Sequence, residues 1–264
     1  MRPVTPDRPT VVGPKSPAAP KSVLARGLAL LDAFGPEDAE LTLTEIAQRA
    51  GLPKPTALRL LGQLVQWGAL ERVGHTYRLG MKMFLLGQRV PQHRPLREAA
   101  LPYLEDLYEA THENIHLAVP DGVNTLFLEK VSGHDSMPIV SRVGGRLPAH
   151  CTATGKIFLA HGETAQFQRT VAAGLARCTP RTIVAPGLLR RELERTAERG
   201  YGVNHEEVEI GVSAVAAPIT DPSGRVVAAI SVTGRSVGMD VARLAPAVRT
   251  AARGLTRELG RMVS

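Results

Sequence analysis

The stretch 41-LTLTEIAQRAGLPKPTALRLLGQLVQWGALERVGHTYRLG-80 decides the fold. Thr42 stands three residues before Glu45, the spacing at which a hydroxyl and a carboxylate each satisfy an orphan N–H at a helix start. Leu43, Ile46, Ala47 and Ala50 repeat at helical period, and Gly51 supplies the permissive backbone that ends the helix. Pro53 and Pro55 fit the first turn of a second helix, where a missing N–H costs little. From Thr56 that helix runs through Leu58, Leu60, Leu61, Leu64 and Val65 to Trp67, and Gly68 stops it. The small Ala47 and Gly51 let the two helices cross closely, as in a helix-turn-helix that lays its second helix in the DNA major groove. Lys54, Thr56 and Arg59 are the polar positions at the start of that helix and suit phosphates and base edges. Leu70–Val73 and Tyr77–Leu79 flank Gly74-His75-Thr76, a hairpin placed to form a wing. An ordinary helical hairpin, with Lys54 and Arg59 as solvated surface, is the competing reading.

Working outward, residues 1–20 carry six prolines and no periodicity and are expected to be a disordered tail. Ser22 caps a helix whose Leu24, Leu28, Leu31 and Phe34 form a stripe ending at Gly35-Pro36. The winged helix-turn-helix therefore spans 21–80. Arg26 on its first helix is a candidate contact to the DNA backbone, with a plain surface arginine as the alternative. Residues 81–95 read as a linker: a short helix from Met81 to Arg89, broken by Pro91 and Pro95.

Beyond it, Leu96 to His112 reads as a helix, after which the period changes to alternation. Asn114–Val119 and Thr125–Val131 are expected strands around the turn Pro120-Asp121-Gly122. Met137 to Val143 is a further strand candidate, followed by a glycine-rich loop over 144–150 and a helix through Ile157–Ala160. Pro186 to Gly200 reads as a charged amphipathic helix, and Tyr201–Asn204 as a return to the sheet. Strands over Ser213–Ile219 and Val226–Val232 and a last helix, Met239 to Leu259, complete an α+β domain over 96–264.

Charge divides the chain in the same place. The net charge is +7, and residues 1–95 hold 13 Lys/Arg against 7 Asp/Glu while the rest holds 19 against 18. The basic excess thus sits on the helix-turn-helix half, as a phosphate-contacting domain requires. No apolar run approaches the ~20 residues of a membrane span, and no secretory signal is visible. The chain has two cysteines, Cys151 and Cys178, too few for a disulfide framework, so a reduced, cytoplasmic setting is expected.

The motifs together resemble the IclR family of bacterial transcriptional regulators along nearly the whole chain from Ser22. The resemblance rests on 22-SVLARGLALLDAF-34, 44-TEIAQRAGLPKPTALRLL-61 and the wing, then on 113-ENIHLAV-119, 146-RLPAHCTATGKIFLA-160, 200-GYGVNHEEVEIGVSAVAAPI-219 and 227-VAAISVTG-234. It implies a non-enzymatic, ligand-responsive regulator, a repressor first, whose partners are a double-stranded operator and a small-molecule effector, often an organic or aromatic acid. It implies a GAF-like (profilin-like) effector-binding domain, a dimer or tetramer, no cofactor and no metal. By the same resemblance Lys54, Thr56 and Arg59 belong to the recognition helix, and Arg72 and His75 to the wing. Pro55 departs from the family, which commonly has a small hydroxyl residue there. Leu28, Leu31 and Met83 are implied dimer contacts. The effector site is implied at Leu147, Ala153, Thr154, Asn204, Ala214, Ser231 and Thr233, with Cys151 as a buried or cavity-lining neighbour. Backbone N–H groups and a hydroxyl at a helix start favour a carboxylate there, and Arg142 or Arg146 is a candidate to join it. A sensor or enzyme that uses its first module only for assembly is the alternative. His150-Cys151 as a catalytic pair, redox sensing by Cys151, and a metal held by His112, His116, His134, His150 and Glu113 are weaker alternatives.

Overall fold

A computed structural model describes residues 22–35, 38–87, 89–90, 94–134 and 136–263. The expectation for residues 1–20 lies outside them, as does part of the 81–95 linker. The chain forms two compact units that divide between Pro91 and Gln92.

In the first unit, α1 (Val23–Asp32) is capped by the Ser22 hydroxyl. β1 (Leu41–Thr42) leads into α2 (Leu43–Arg49), whose capping box is complete: Glu45 N–H donates to Thr42 Oγ1 at 3.3 Å, and Thr42 N–H to Glu45 at 2.8 Å. Gly51, at φ +64°, makes the sharp turn to α3 (Lys54–Trp67), which ends on the left-handed Gly68. β2 (Leu70–Val73) and β3 (Thr76–Leu79) form the hairpin, and β1 joins its outer edge to give the order β1-β3-β2. Leu30, Ile46, Ala57, Leu60, Leu61, Leu70 and Tyr77 close the core.

The inward face of α1 differs from the expected stripe. Leu30 and Ala33 are buried, with Leu31 and Phe34 packed beside them, whereas Leu24 and Leu28 are 73% and 51% exposed. The helix is apolar on more than one side, so periodicity alone could not choose its buried face. Helix α4 (Met81–Gly87) follows; Met81, Phe84, Leu85 and Leu86 are exposed.

In the second unit, α5 (Arg94–Thr111) precedes an antiparallel sheet of β4 (Asn114–Asp121), β5 (Asn124–Val131), β6 (Arg146–Pro148), β7 (Gly202–His205), β8 (Val212–Thr220) and β9 (Val226–Arg235). Its order is β6-β5-β4-β9-β8-β7. Alternation along β9 divides the two faces. Ala228, Ile230 and Val232 join Leu104, Leu107 and the residues of α9 (Val241–Val263), among them Val248 and Leu255, in the larger core. Ala229, Ser231 and Thr233 face the other way, toward α6 (Ala153–His161), whose Ala153, Ile157 and Phe158 pack on Ala118, Ala214 and Ala216. Helix α8 (Pro186–Arg199) covers α6 from outside through Leu189 and Leu193.

Two expectations are corrected and one helix is added. Met137–Val143 is not a strand; it crosses as irregular chain, tied by Asn114 Nδ2 donating to Met137 O at 3.0 Å. Residues 146–148, expected in a loop, pair with β5 as β6. A helix α7 (Thr164–Ala172) was not anticipated. The last helix begins at Val241 and runs to Val263.

Candidate DNA-binding face and effector cavity

The start of α3 has no side-chain cap, and Pro55 occupies its first turn. Lys54 and Arg59 are exposed there, Thr56 half-buried. What separates these cations from their neighbours is pairing. Arg49 is bound to Asp38 and to Ala33 O, and Arg78 to Glu71 at 2.7 Å. Among the described residues Lys54 and Arg59 have no carboxylate partner. Arg72 lies along the wing with Nε donating to Gly74 O at 3.1 Å, and His75 is exposed at the tip of the hairpin. Arg26 is half-buried on α1. Free positive charge at an uncapped helix start, with a basic hairpin beside it, suits phosphate oxygens and base edges.

In the second unit the small side chains of Ala214 on β8 and Ala153 on α6 leave a cavity between the sheet and the start of α6. Its cavity volume is about 40 Å³. It is therefore a narrow slot. Leu147, Ala153, Thr154, Asn204, Ala214, Ser231 and Thr233 all line it. Cys151, grouped with them from the sequence, does not: it is wholly buried behind the wall and faces Cys178. Arg142 and Arg146 stay outside the lining; Arg146 pairs with Asp121 instead.

The chemistry of the slot lies in hydroxyls that the protein leaves unused. The Thr154, Ser231 and Thr233 side chains make no hydrogen bond to any described residue. Thr152 is different, since its Oγ1 caps α6 by accepting from Gly155 N–H at 3.1 Å. Asn204 commits Oδ1 to Glu207 N–H at 2.8 Å. Gly155 is required where it stands, because a Cβ there would lie 2.3 Å from Ala149 Cα.

The rest of the lining was missed from sequence: Phe127, Val208, Val212, Glu209 and the irregular Ile139–Ser141. Glu209 Oε2 is buried and has no partner among the described residues. Ser141 Oγ is 2.9 Å from His116 Nε2, and the His116 ring stands 5.2 Å from that of Phe127. Burial, with Lys130 nearby, pushes His116 down to about 3, so its ring is neutral at ordinary pH. A parity argument could have found His116, because it pairs with Ser231 in register and shares its face. Nothing local marked Glu209.

The histidine reading fails geometrically. Helix α5 ends at Thr111, His112 turns into the left-handed region at φ 55°, and His116 sits on β4, so the two share no helical face. His150 is used by Ala176 O at 3.0 Å and does not meet Cys151 as a catalytic base. Among the described residues no three potential metal ligands converge, and no helix is long and apolar enough to cross a membrane.

Comparison with known proteins agrees with both halves. Residues 23–74 match the IclR helix-turn-helix domain, and residues 88–257 the bacterial transcriptional regulator IclR C-terminal domain. The chain is 34% identical to the HTH-type transcriptional regulator XynR of Escherichia coli (strain K12) over 89% of its own length and 96% of that protein's. It is 34% identical to the transcriptional repressor IclR of the same organism, over 80% of this chain and 79% of the other. A crystal structure of an IclR homologue from Microbacterium hydrocarbonoxydans, complexed with 4-hydroxybenzoate, superposes with a TM-score of 0.85 at 33% identity, covering 90% of this chain and 99% of that one. These relatives are regulators rather than enzymes. With its uncapped, basic recognition helix and its hydroxyl-lined slot, the chain belongs to the IclR family of bacterial transcriptional regulators, DNA-binding proteins that respond to a ligand.

Proposed function

We propose that the protein is a cytoplasmic repressor that holds a near-palindromic operator as a homo-oligomer built from dimers, and that a small organic acid bearing a hydroxyl controls it without a further cofactor. The observation that carries the reading is the slot itself. Three unengaged hydroxyls, Thr154, Ser231 and Thr233, offer donors to a carboxylate, while the orphan oxygen of Glu209 asks for a donor from the ligand. An aromatic hydroxy acid supplies both, has an apolar ring to set against Phe127, Leu147 and Val212 once the slot widens around it, and matches in class the ligand of the Microbacterium homologue. One recognition helix per chain buries too little DNA for tight specific binding, so a pair of chains is required. Leu24, Leu28, Met81 and Phe84, all exposed, supply apolar surface for that pairing in the first unit. The acid acts by favouring one arrangement of the paired DNA-binding units over another.

Two measurements test this. Arg59→Ala is expected to weaken operator binding by about 1–3 kcal/mol, roughly 5- to 150-fold, in a fluorescence anisotropy titration. Lys54→Ala should lower the salt slope by about one. Operator affinity unchanged by Arg59→Ala would remove α3 from the groove. In calorimetric titrations, Ser231→Val is expected to weaken both 4-hydroxybenzoate and benzoate, whereas Glu209→Gln should affect the hydroxylated acid alone. Equal loss for both acids in Glu209→Gln would place the hydroxyl elsewhere.

A further inference from the structure

The two cysteines, 27 residues apart in the chain, meet in the second unit: Cys151 Sγ lies 4.0 Å from Cys178 Sγ, and both thiols are free. Neither lines the effector slot. Their surroundings are unequal. Cys151 is wholly buried in the short 3-10 turn Ala149–Cys151, whereas Cys178 is exposed in the segment between α7 and α8, which has neither helix nor strand. One thiol is open to a dissolved reagent, and the other is shielded from solvent beside it.

We propose that Cys151 and Cys178 form a reversible disulfide driven by hydroperoxides, a modification site outside the effector slot and behind its wall. In the first step the Cys178 thiolate attacks the peroxide O–O bond. A sulfenic acid forms on Cys178, and the leaving oxygen takes up a proton to depart as water or alcohol. In the second step Cys151 sulfur attacks Cys178 sulfur. The S–S bond forms, the S–O bond breaks, and the hydroxide leaves as water with the Cys151 proton. Two thiols and one hydroperoxide give one disulfide, one water and one further water or alcohol, with two electrons passing from sulfur to the peroxide.

The local electrostatics support this division of labour. Contact with the Cys151 sulfur draws Cys178 below the usual thiol range, to about 7, which favours its thiolate as the attacking group. The same contact, with burial, pushes Cys151 up, as suits a resolving thiol that does not meet peroxide itself. Closing 4.0 Å to the ~2.05 Å of a disulfide falls to the irregular Cys178 segment, since Cys151 is anchored ahead of the α6 cap.

That anchoring ties the site to the slot. Thr152, next to Cys151, caps α6 and lines the cavity. On the other side, Thr179 Oγ1 donates to Glu206 O and Thr182 Oγ1 to Glu207 O, both at 2.7 Å, and Val208 and Glu209 of the cavity wall follow directly. A bond between Cys151 and Cys178 joins the supports of both walls.

The test treats the folded full-length protein with hydrogen peroxide near pH 7. Titratable thiols are expected to fall from two to none, the mass of one chain to drop by two hydrogens, and peptide mapping to link Cys151 to Cys178, all reversed by dithiothreitol. Cys151→Ser should instead leave a sulfenic acid on Cys178 that dimedone traps, and Cys178→Ser should leave Cys151 unreactive. Two thiols persisting after peroxide would overturn the proposal, as would chains cross-linked through Cys178 or a Cys178 sulfinic acid formed without disulfide. Oxidised and reduced protein are further expected to differ severalfold in 4-hydroxybenzoate affinity; that readout fails if the ligand class is wrong, while the thiol count does not depend on it.

Discussion

A Lys156→Met variant is expected to lose about 3–5 kcal/mol of stability in the second unit, enough to unfold a domain of ordinary stability. Lys156 is 1% exposed on α6 and bonds the Glu207 carboxylate and, at 2.8 Å, Val203 O. Burial pushes the Glu207 carboxyl above its usual range more than the ammonium pulls it down, and its second oxygen has no partner among the described residues. Removing the lysine alone strands that carboxylate. The loss should shrink as the pH falls and Glu207 takes up a proton, and the double variant Lys156→Met/Glu207→Leu should recover most of it. Thermal unfolding followed by circular dichroism decides the matter. A single variant as stable as the parent would mean that the pair contributes nothing net. The pair also joins α6 to the segment carrying Asn204 and Glu209, so ligand affinity should fall with stability in Lys156→Met.

The second large effect is acid destabilisation through His116. In the fold its ring titrates at about 3, below the 6.5 of a free histidine. Above pH 6.5 the ring is neutral in both states and nothing is lost. Below it the unfolded chain binds a proton that the fold refuses, so stability falls as pH drops, by about 1.4 kcal/mol per unit down to about pH 3. His150 and His161, also lowered by burial, act in the same direction, while Glu113 and Glu207, raised by burial, act against it. The difference between the parent and His116→Gln isolates the contribution of this ring. Hydrogen exchange of the β4 amides at pH 7 and pH 5 should show a fall in protection that the variant largely lacks; identical falls in both proteins would rule out His116 as the source.

Much of this molecule was legible without coordinates, and the reason is locality. The Thr42–Glu45 box, the turns at Gly51 and Gly68 and the hairpin around Gly74 are decided within a few residues by caps and backbone freedom. The alternation of β8 and β9 announces two buried faces in the same way. Family motifs added seven of the residues that line the slot, because those motifs record contacts that a single sequence does not reveal. What the tertiary structure alone decided involves partners distant in the chain. Which side of α1 is buried depends on α2 and α3, so Leu24 and Leu28 came out exposed. Ile139–Ser141 reads as a strand by composition, yet with no ladder partner it becomes part of the cavity wall. Glu209 acquires its meaning from lying unpaired beside free hydroxyls, and Cys151 from meeting Cys178 rather than the ligand. Caps, turns and alternation are written in neighbouring residues, whereas a cavity or a thiol pair exists only once packing has brought remote side chains within a few ångströms.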